Sequence, residues 1–132
     1  MQQNNQKFIS SHEDLEAYQI AFDAAMKIFK LSKNFPKEEK YSLIDQIRRS
    51  SRSVCANLAE AWRRRLYKAS FVSKLNDAEA EAAESQVWLK FAVKCEYLDV
   101  KTGRQLYSQY NQILGLIVTM INSCDKWLLK NP

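Results

Sequence analysis

The basic side chains between residues 49 and 68 are the groups in this chain with the clearest chemistry. A guanidinium group donates paired hydrogen bonds to phosphate oxygens, and neutralising phosphates drives nucleic-acid binding. No base-reading motif accompanies these residues, so contact with the backbone alone is expected. The alternative is an ordinary charged face, paired with the acidic residues of 79–84 or with a neighbouring subunit. The positions predicted to contact nucleic acid are Arg49, Arg52, Arg63, Arg65 and Lys68.

The positive charge of the chain is concentrated in one segment. The whole sequence has 20 basic and 15 acidic residues, a net charge of +5. Residues 35–75 contain ten basic and four acidic residues, whereas residues 76–100 contain two basic and six acidic ones. This asymmetry indicates an acidic partner such as RNA or DNA. Net charge indicates what a protein associates with and does not indicate how it folds.

An enzyme is the function that the sequence supports least. The single histidine, His12, has no nucleophile or metal-ligand partner at a recognisable spacing. The acidic residues of 77–84 lack the Glu-x-x-His pattern of di-iron bundles, and two glycines, Gly103 and Gly115, are too few for a phosphate-binding loop. We therefore predict a non-enzymatic protein with no metal and no cofactor.

The cysteines and the hydropathy pattern indicate a cytoplasmic protein with no membrane partner. Cys55, Cys95 and Cys124 are widely spaced without a C-x-x-C pair, which favours free thiols in a reducing compartment. The uncharged residues 105–124 are interrupted by Gln and Asn, so their apolar part is too short to span a bilayer. We expect residues 1–10 to form a flexible tail and residues 11–130 to form one domain.

The elements that must position these residues are predicted to be helices. Only two glycines and two prolines occur, and none lies between residues 37 and 101. We expect a first helix over residues 11–33 with Ser11 as its cap. A second ends near residue 65, a third begins at 68 or 69, and a fourth covers about 99–130. One long bent helix is the alternative for the second and third. The simplest arrangement is all-α, an antiparallel up-down-up-down four-helix bundle.

Apolar residues at helical spacing identify the faces that should be buried. Gly115 in the fourth helix is expected to allow a close helix crossing. The first helix has the stripe Leu15, Tyr18, Phe22, Ala25, Ile28 and Phe29, and the second has Leu43, Ile47, Val54, Leu58, Ala61 and Trp62.

The third helix carries two apolar stripes, and an isolated bundle covers only one side of each helix. Its second stripe contains Trp88, Phe91 and Cys95. Uncovered apolar surface of this kind marks an interaction site, so we predict self-association through it.

A line of polar residues on the second helix lies between its apolar and basic faces, and we expect it to be buried at a helix junction. Arg48 and Arg64 are expected to pair structurally rather than to bind nucleic acid. The line is Gln46, Ser53, Asn57, Glu60 and Arg64.

These motifs resemble those of a known family. They are Q-x-R-R at residues 46–49, S-x-x-x-N-L-A-E at 53–60, R-R at 64–65 and, with Glu84, Y-L-D at 97–99. Over about residues 15–128 the chain resembles the bacterial four-helix-bundle proteins encoded in intervening sequences of 23S rRNA. The resemblance implies a ring-shaped homopentamer. Relatives include the accessory variability determinant of diversity-generating retroelements, a basic pentamer that binds nucleic acid and assists a reverse transcriptase.

Carried to this sequence, the resemblance implies that the polar motif residues hold helix junctions or subunit contacts. Where the family commonly has glycines, this chain has Ala61 and Arg63, so the second helix is expected to extend further. The predicted function is a homo-oligomeric, nucleic-acid-binding accessory factor, and the alternative is a protein-binding or structural oligomer. The implied structural positions are Gln46, Arg48, Arg49, Ser53, Asn57, Glu60 and Glu84.

Overall fold

The computed structural model describes residues 8–130 and is helical, with no strand in that part of the chain. The helices are α1 (Glu16–Ser32), α2 (Leu43–Arg63), α3 (Lys68–Lys94) and α4 (Val100–Asn122). Each helix packs against two others, since α1 and α3 both contact α2 and α4. The prediction of an all-α four-helix bundle is confirmed. The predicted tail falls largely on residues 1–7, which lie outside the described residues.

The first predicted helix is divided near its start. Ser11 forms a capping box with a short 3₁₀ turn, His12–Asp14, and the backbone is extended at Leu15 before α1 begins at Glu16. The amide of Ser10 also donates to the Asp14 carboxylate at 2.9 Å, which ties the preceding chain to this turn.

The buried face of α1 differs from the predicted stripe. Small residues fill it, because alanines allow the neighbouring helices to approach closely. Phe22 is 51% exposed, and Tyr18 and Phe29 are only partly buried. These three rings therefore lie beside the core and not within it, which corrects the prediction for them. The other three residues of the predicted stripe, Leu15, Ala25 and Ile28, are buried. The residues of α1 that are buried are Ala17, Ala21, Ala24, Ala25, Ile28 and Ser32.

The second and third helices are separate, as predicted. α2 ends at Arg63, residues 64–67 turn the chain, and α3 begins at Lys68, which excludes one long bent helix. All six residues of the predicted α2 stripe are buried. The helix continues through Ala61 and ends at Arg63, so both residues that replace the expected glycines are helical.

The fourth helix begins as predicted but ends early. The Asp99 carboxylate accepts a hydrogen bond from the Thr102 amide at 3.0 Å and caps α4. The helix stops at Asn122 instead of near residue 130. The Ser123 hydroxyl donates to the Thr119 carbonyl, a local bond that competes with helix continuation. Beyond it the chain packs Trp127 against Trp62, with ring centroids 6.4 Å apart.

The glycine that permits close packing is not the predicted one. Gly115 has no neighbouring atom within 4 Å of a Cβ placed on it, so it makes no close crossing. Gly103 is buried, and a Cβ there would collide with a methyl group of Val93. The close approach of α3 and α4 therefore depends on Gly103.

Candidate nucleic-acid interface

Four cationic residues line an open groove of about 600 Å³ at the amino-terminal half of α2. We call these residues, Lys40, Arg48, Arg49 and Arg52, the basic groove. The 3₁₀ turn Lys37–Glu39 precedes Lys40 and places it beside the helix. The one acidic residue among the lining side chains is Asp45, which accepts a hydrogen bond from Arg49 at 2.9 Å. The groove therefore keeps a net positive charge.

Three cations lie around the Phe29 ring at one end of this groove. The Lys33 ammonium lies 4.6 Å from the centroid of the Phe29 ring, and the guanidinium carbons of Arg48 and Arg52 lie 4.9 and 5.7 Å from it. Attraction to the ring partly offsets the repulsion among the three charges. Within residues 8–130 none of these cations forms an ion pair with a carboxylate. Their combined field attracts an anion.

The predicted row Arg49, Arg52 and Arg63 lies on the exposed face of α2. Arg63 follows Arg52 by eleven positions, which is close to three helical turns and about 16 Å along the axis. Arg63 makes no hydrogen bond or ion pair to the described part of the chain. In the described chain none of the three pairs with the acidic residues of 79–84, whereas Arg49 pairs with Asp45 of its own helix.

Arg65 and Lys68 are engaged at the opposite end of the bundle. The Arg65 guanidinium stacks 3.5 Å from the centroid of the Trp62 ring and donates to the Trp62 carbonyl at 2.7 Å. It also donates to the Trp127 carbonyl at 3.5 Å, and burial lowers the pKa of Arg65. Lys68 lies 3.3 Å from the Asp125 carboxylate. Both side chains fasten the carboxyl-terminal segment to the turn between α2 and α3.

The polar line of α2 contacts α3 at its carboxyl-terminal end, through Glu60 and Arg64. The Asn57 amide donates to the Ser53 carbonyl at 2.9 Å, and Glu60 pairs with Lys74 at 3.1 Å. Gln46, Ser53 and Asn57 are partly buried, whereas Glu60 and Arg64 are exposed. The expectation of a buried junction is therefore wrong for the last two, which bond to Lys74 and Ser70 of α3 from exposed positions.

Two further polar motif residues make contacts within the chain. Arg48 donates through Nε to the Ser32 hydroxyl at 2.8 Å and so ties α2 to the end of α1. The Glu84 carboxylate accepts from the Trp88 indole at 3.0 Å. Arg48 thus has a structural bond and also faces the basic groove.

The second apolar stripe of α3 lies outside the bundle core. Phe91 is 54% exposed, Cys95 is exposed, and Trp88 is partly buried with its ring 5.9 Å from that of Phe91. Val87 extends the stripe and is 48% exposed. We call Val87, Trp88 and Phe91 the outer face of α3. Its role as a subunit contact stays a prediction.

Sequence reasoning missed Lys33, Lys40 and Phe29 as parts of the basic site. A signal was present, because Lys33 follows Phe29 by four residues and therefore lies on the same side of α1. Lys40 precedes α2 and becomes part of the groove only through the turn after Pro36, which helical periodicity does not describe.

Neither a cluster of metal-ligating side chains nor a membrane-spanning helix is found in the described residues. Among residues 8–130, no three His, Cys, Asp or Glu side chains are grouped so that they would hold a metal ion. No helix in that range combines the length and the apolar character needed to cross a membrane.

Burial and the neighbouring carboxylates of Glu84 and Asp77 raise the pKa of Glu81, which lies on α3, away from the basic groove.

The comparison with known proteins decides the family. The profile of the 23S rRNA-intervening sequence proteins matches residues 13–119, which include α1, α2, α3 and most of α4. The chain belongs to this family. The matched residues include all of the basic groove and the outer face of α3, so both surfaces lie within the region that the family shares.

A solved structure agrees with this assignment. A protein of unknown function from the S23 ribosomal protein family of Bacteroides thetaiotaomicron is 29% identical and superposes with a TM-score of 0.72. The similarity covers 80% of this chain and 95% of that one. No curated protein matches the chain. Neither the family description nor the description of that crystal structure names an enzymatic activity.

Proposed function

We propose that this member of the 23S rRNA-intervening sequence family is a non-enzymatic, cytoplasmic accessory factor that binds the phosphate backbone of RNA or DNA. The basic groove and Arg63 supply the contacts. The observation that carries the proposal is the group of three cations around Phe29, which lacks carboxylate partners in the described chain. Phosphate oxygens would supply the missing negative charge in two-point geometry with the arginines.

The same proposal includes assembly into a homo-oligomer, with a pentamer as the expected form. The outer face of α3 supports it, because half-exposed Val87 and Phe91 form an apolar surface with Trp88 that the bundle does not cover. A closed ring would repeat the basic groove once in each subunit, and the grooves would act together on one nucleic-acid strand.

Light scattering tests the assembly. We expect a mass near five times the 15.4 kDa of the protomer, and a Trp88→Glu/Phe91→Glu variant should become monomeric. Tyr107→Glu/Val118→Glu, which places two charges on exposed apolar positions of α4, is the matched control and should keep the wild-type mass. A monomeric wild type would exclude the assembly.

Fluorescence anisotropy with labelled RNA and DNA tests the binding. We expect log-log plots of affinity against salt to fall with a slope of about −0.7 to −0.9 per phosphate contacted. Arg49→Gln/Arg52→Gln should reduce both the affinity and the slope. Lys101→Gln/Arg104→Gln removes two exposed charges from α4 and controls for the loss of net charge. Absence of binding at low salt, or an equal loss in both double variants, would refute the role of the groove.

A second candidate function is a structural or protein-binding oligomer. The pairing of Arg49 with Asp45 and the bond from Arg48 to Ser32 favour it, because both arginines then have partners without nucleic acid. Arg49→Glu/Arg52→Glu distinguishes the two candidates. Under the second candidate the exposed arginines serve subunit pairing, so this variant weakens assembly and the wild type binds no nucleic acid. Under the first candidate the variant loses nucleic-acid binding and keeps the wild-type mass.

A further inference from the structure

An apolar groove of about 400 Å³ runs between α1 and α2 beside the basic groove. Phe22 and Met26 are 51% and 41% exposed, and the ring of Tyr18 stacks on that of Phe22 with centroids 6.0 Å apart. We call this surface the aromatic groove. Its remaining lining residues are Ala25 and Phe29 of α1 and Arg52, Cys55, Ala56 and Ala59 of α2.

The two grooves form one continuous surface. Arg52 and Ala56 line both of them, and the Arg52 guanidinium lies 5.7 Å from the Phe29 ring. Ala56 and Ala59 have small side chains, so the surface of α2 between Arg52 and Arg63 does not cover the aromatic rings of α1 that line the same groove. A ligand that spans the surface meets cations at one side and aromatic faces at the other.

The aromatic groove contains little charge of its own. Arg52 is the one ionised residue among its lining side chains. Burial raises the pKa of the Cys55 thiol to about 11 and also raises that of Tyr18, so both groups are neutral near pH 7. The surface therefore suits a flat, weakly polar group attached to an anion.

We propose that the joined grooves select single-stranded nucleic acid, with an unpaired base against Phe22 and Met26 and its phosphate on Arg52 and the basic groove. This inference rests on the proposed function and adds the class of nucleic acid. An unpaired base exposes its π-face to an aromatic side chain, whereas stacking inside a duplex covers both faces of the base. A duplex would reach only the cations.

The charge distribution favours this occupant over a second copy of the chain. The outer face of α3 also combines aromatic rings with a carboxylate, that of Glu84. A partner subunit seated on the grooves through that face would, however, cover the cations that the proposed function needs for phosphate. A strand of nucleic acid supplies both the anion and the flat apolar group within each nucleotide. Alternating phosphates and bases match the two joined grooves.

The test compares three labelled probes of equal length by anisotropy on the full chain: oligodeoxythymidine, a duplex, and a strand of abasic sites that retains the phosphates. We expect the oligodeoxythymidine to bind more tightly than the duplex. It should also bind about tenfold more tightly than the abasic strand. Phe22→Ala should remove most of that difference and leave the affinity for the duplex unchanged. Phe22→Trp should restore it. Phe8→Ala, the same change at an 87% exposed position outside both grooves, is the matched control.

Each outcome separates this inference from the proposed function. If no probe binds, both fail. If all three probes bind with equal affinity and Phe22→Ala changes none of them, nucleic-acid binding stands and the single-strand inference is refuted. If Phe22→Ala lowers the mass measured by light scattering, the aromatic groove is a subunit contact, and the inference is likewise overturned.

Discussion

Alanine substitutions at the two glycines should change stability in opposite directions. Both lie inside α4, so each Gly→Ala change gains about 1 kcal/mol of helix propensity. Gly115 has open space around its Cα, and Gly115→Ala should therefore keep the full gain. For a chain of 132 residues this corresponds to an increase of about 4 °C in Tm.

Gly103→Ala should lower the free energy of unfolding, because its packing cost exceeds its gain in helix propensity. The added methyl group meets the Cγ2 atom of Val93, whose branched side chain has little rotamer freedom in α3. Overpacking of this kind costs about 1–3 kcal/mol. The free energies of unfolding of the two variants should therefore differ by about 1–3 kcal/mol, with Gly115→Ala the more stable.

Urea unfolding followed by circular dichroism measures both values, and a double variant tests the cause. Val93→Ala removes the colliding methyl group, so Gly103→Ala should cost less in that background than in the wild type. The coupling between the two sites should be at least about 0.5 kcal/mol. The reasoning fails if Gly103→Ala is as stable as Gly115→Ala, or if the Val93→Ala background leaves its cost unchanged.

Two further predictions concern groups outside the grooves. The Tyr110 hydroxyl is buried without a hydrogen bond of standard geometry in the described chain. Tyr110→Phe should therefore leave the free energy of unfolding unchanged or raise it by up to about 1 kcal/mol. A decrease of that size in urea unfolding would contradict this. Hydrogen bonds from Ser42, Tyr97 and Leu43 lower the pKa of Glu39, and Glu39 raises the pKa of Tyr97 to about 12. The contribution of Glu39 to the free energy of unfolding is present above its ordinary pKa of 4.5 and is lost as pH falls through the lowered pKa. The contribution of Tyr97 is present below its ordinary pKa of 10.0 and is lost as pH rises toward 12. Urea unfolding across pH should show both dependences flattened in Glu39→Gln, and an unchanged profile would refute the link.

Much of the fold follows from helical periodicity because each strong stripe has one partner in the core. The α2 stripe from Leu43 to Trp62 is buried throughout, and the break between α2 and α3 lies at residues 64–67, close to the predicted boundary. The end of α4 was not predictable in this way. Its apolar pattern continues past Ser123, but Trp127 packs against Trp62 in another part of the sequence, and only the tertiary structure brings the two rings together.

The candidate site was predictable only in part, for a related reason. Arg49, Arg52 and Arg63 share a face because their spacing is helical, so the sequence places them correctly relative to one another. Arg65 is only two residues further along, yet its contacts with Trp62 and Trp127 place it in a different environment. Spacing along one helix does not show which cations a distant segment will engage.

The main error in reading α1 also explains how the site arises. Periodicity assigns Tyr18, Phe22 and Phe29 to the core because large rings usually contribute most buried area. In this bundle the alanines of α1 face the core instead, and the rings are displaced toward α2. That displacement puts Phe29 beneath Lys33, Arg48 and Arg52 and leaves Phe22 half exposed beside them. Substituting larger residues for the alanines would therefore be expected to disturb the grooves as well as the core, since one packing arrangement produces both.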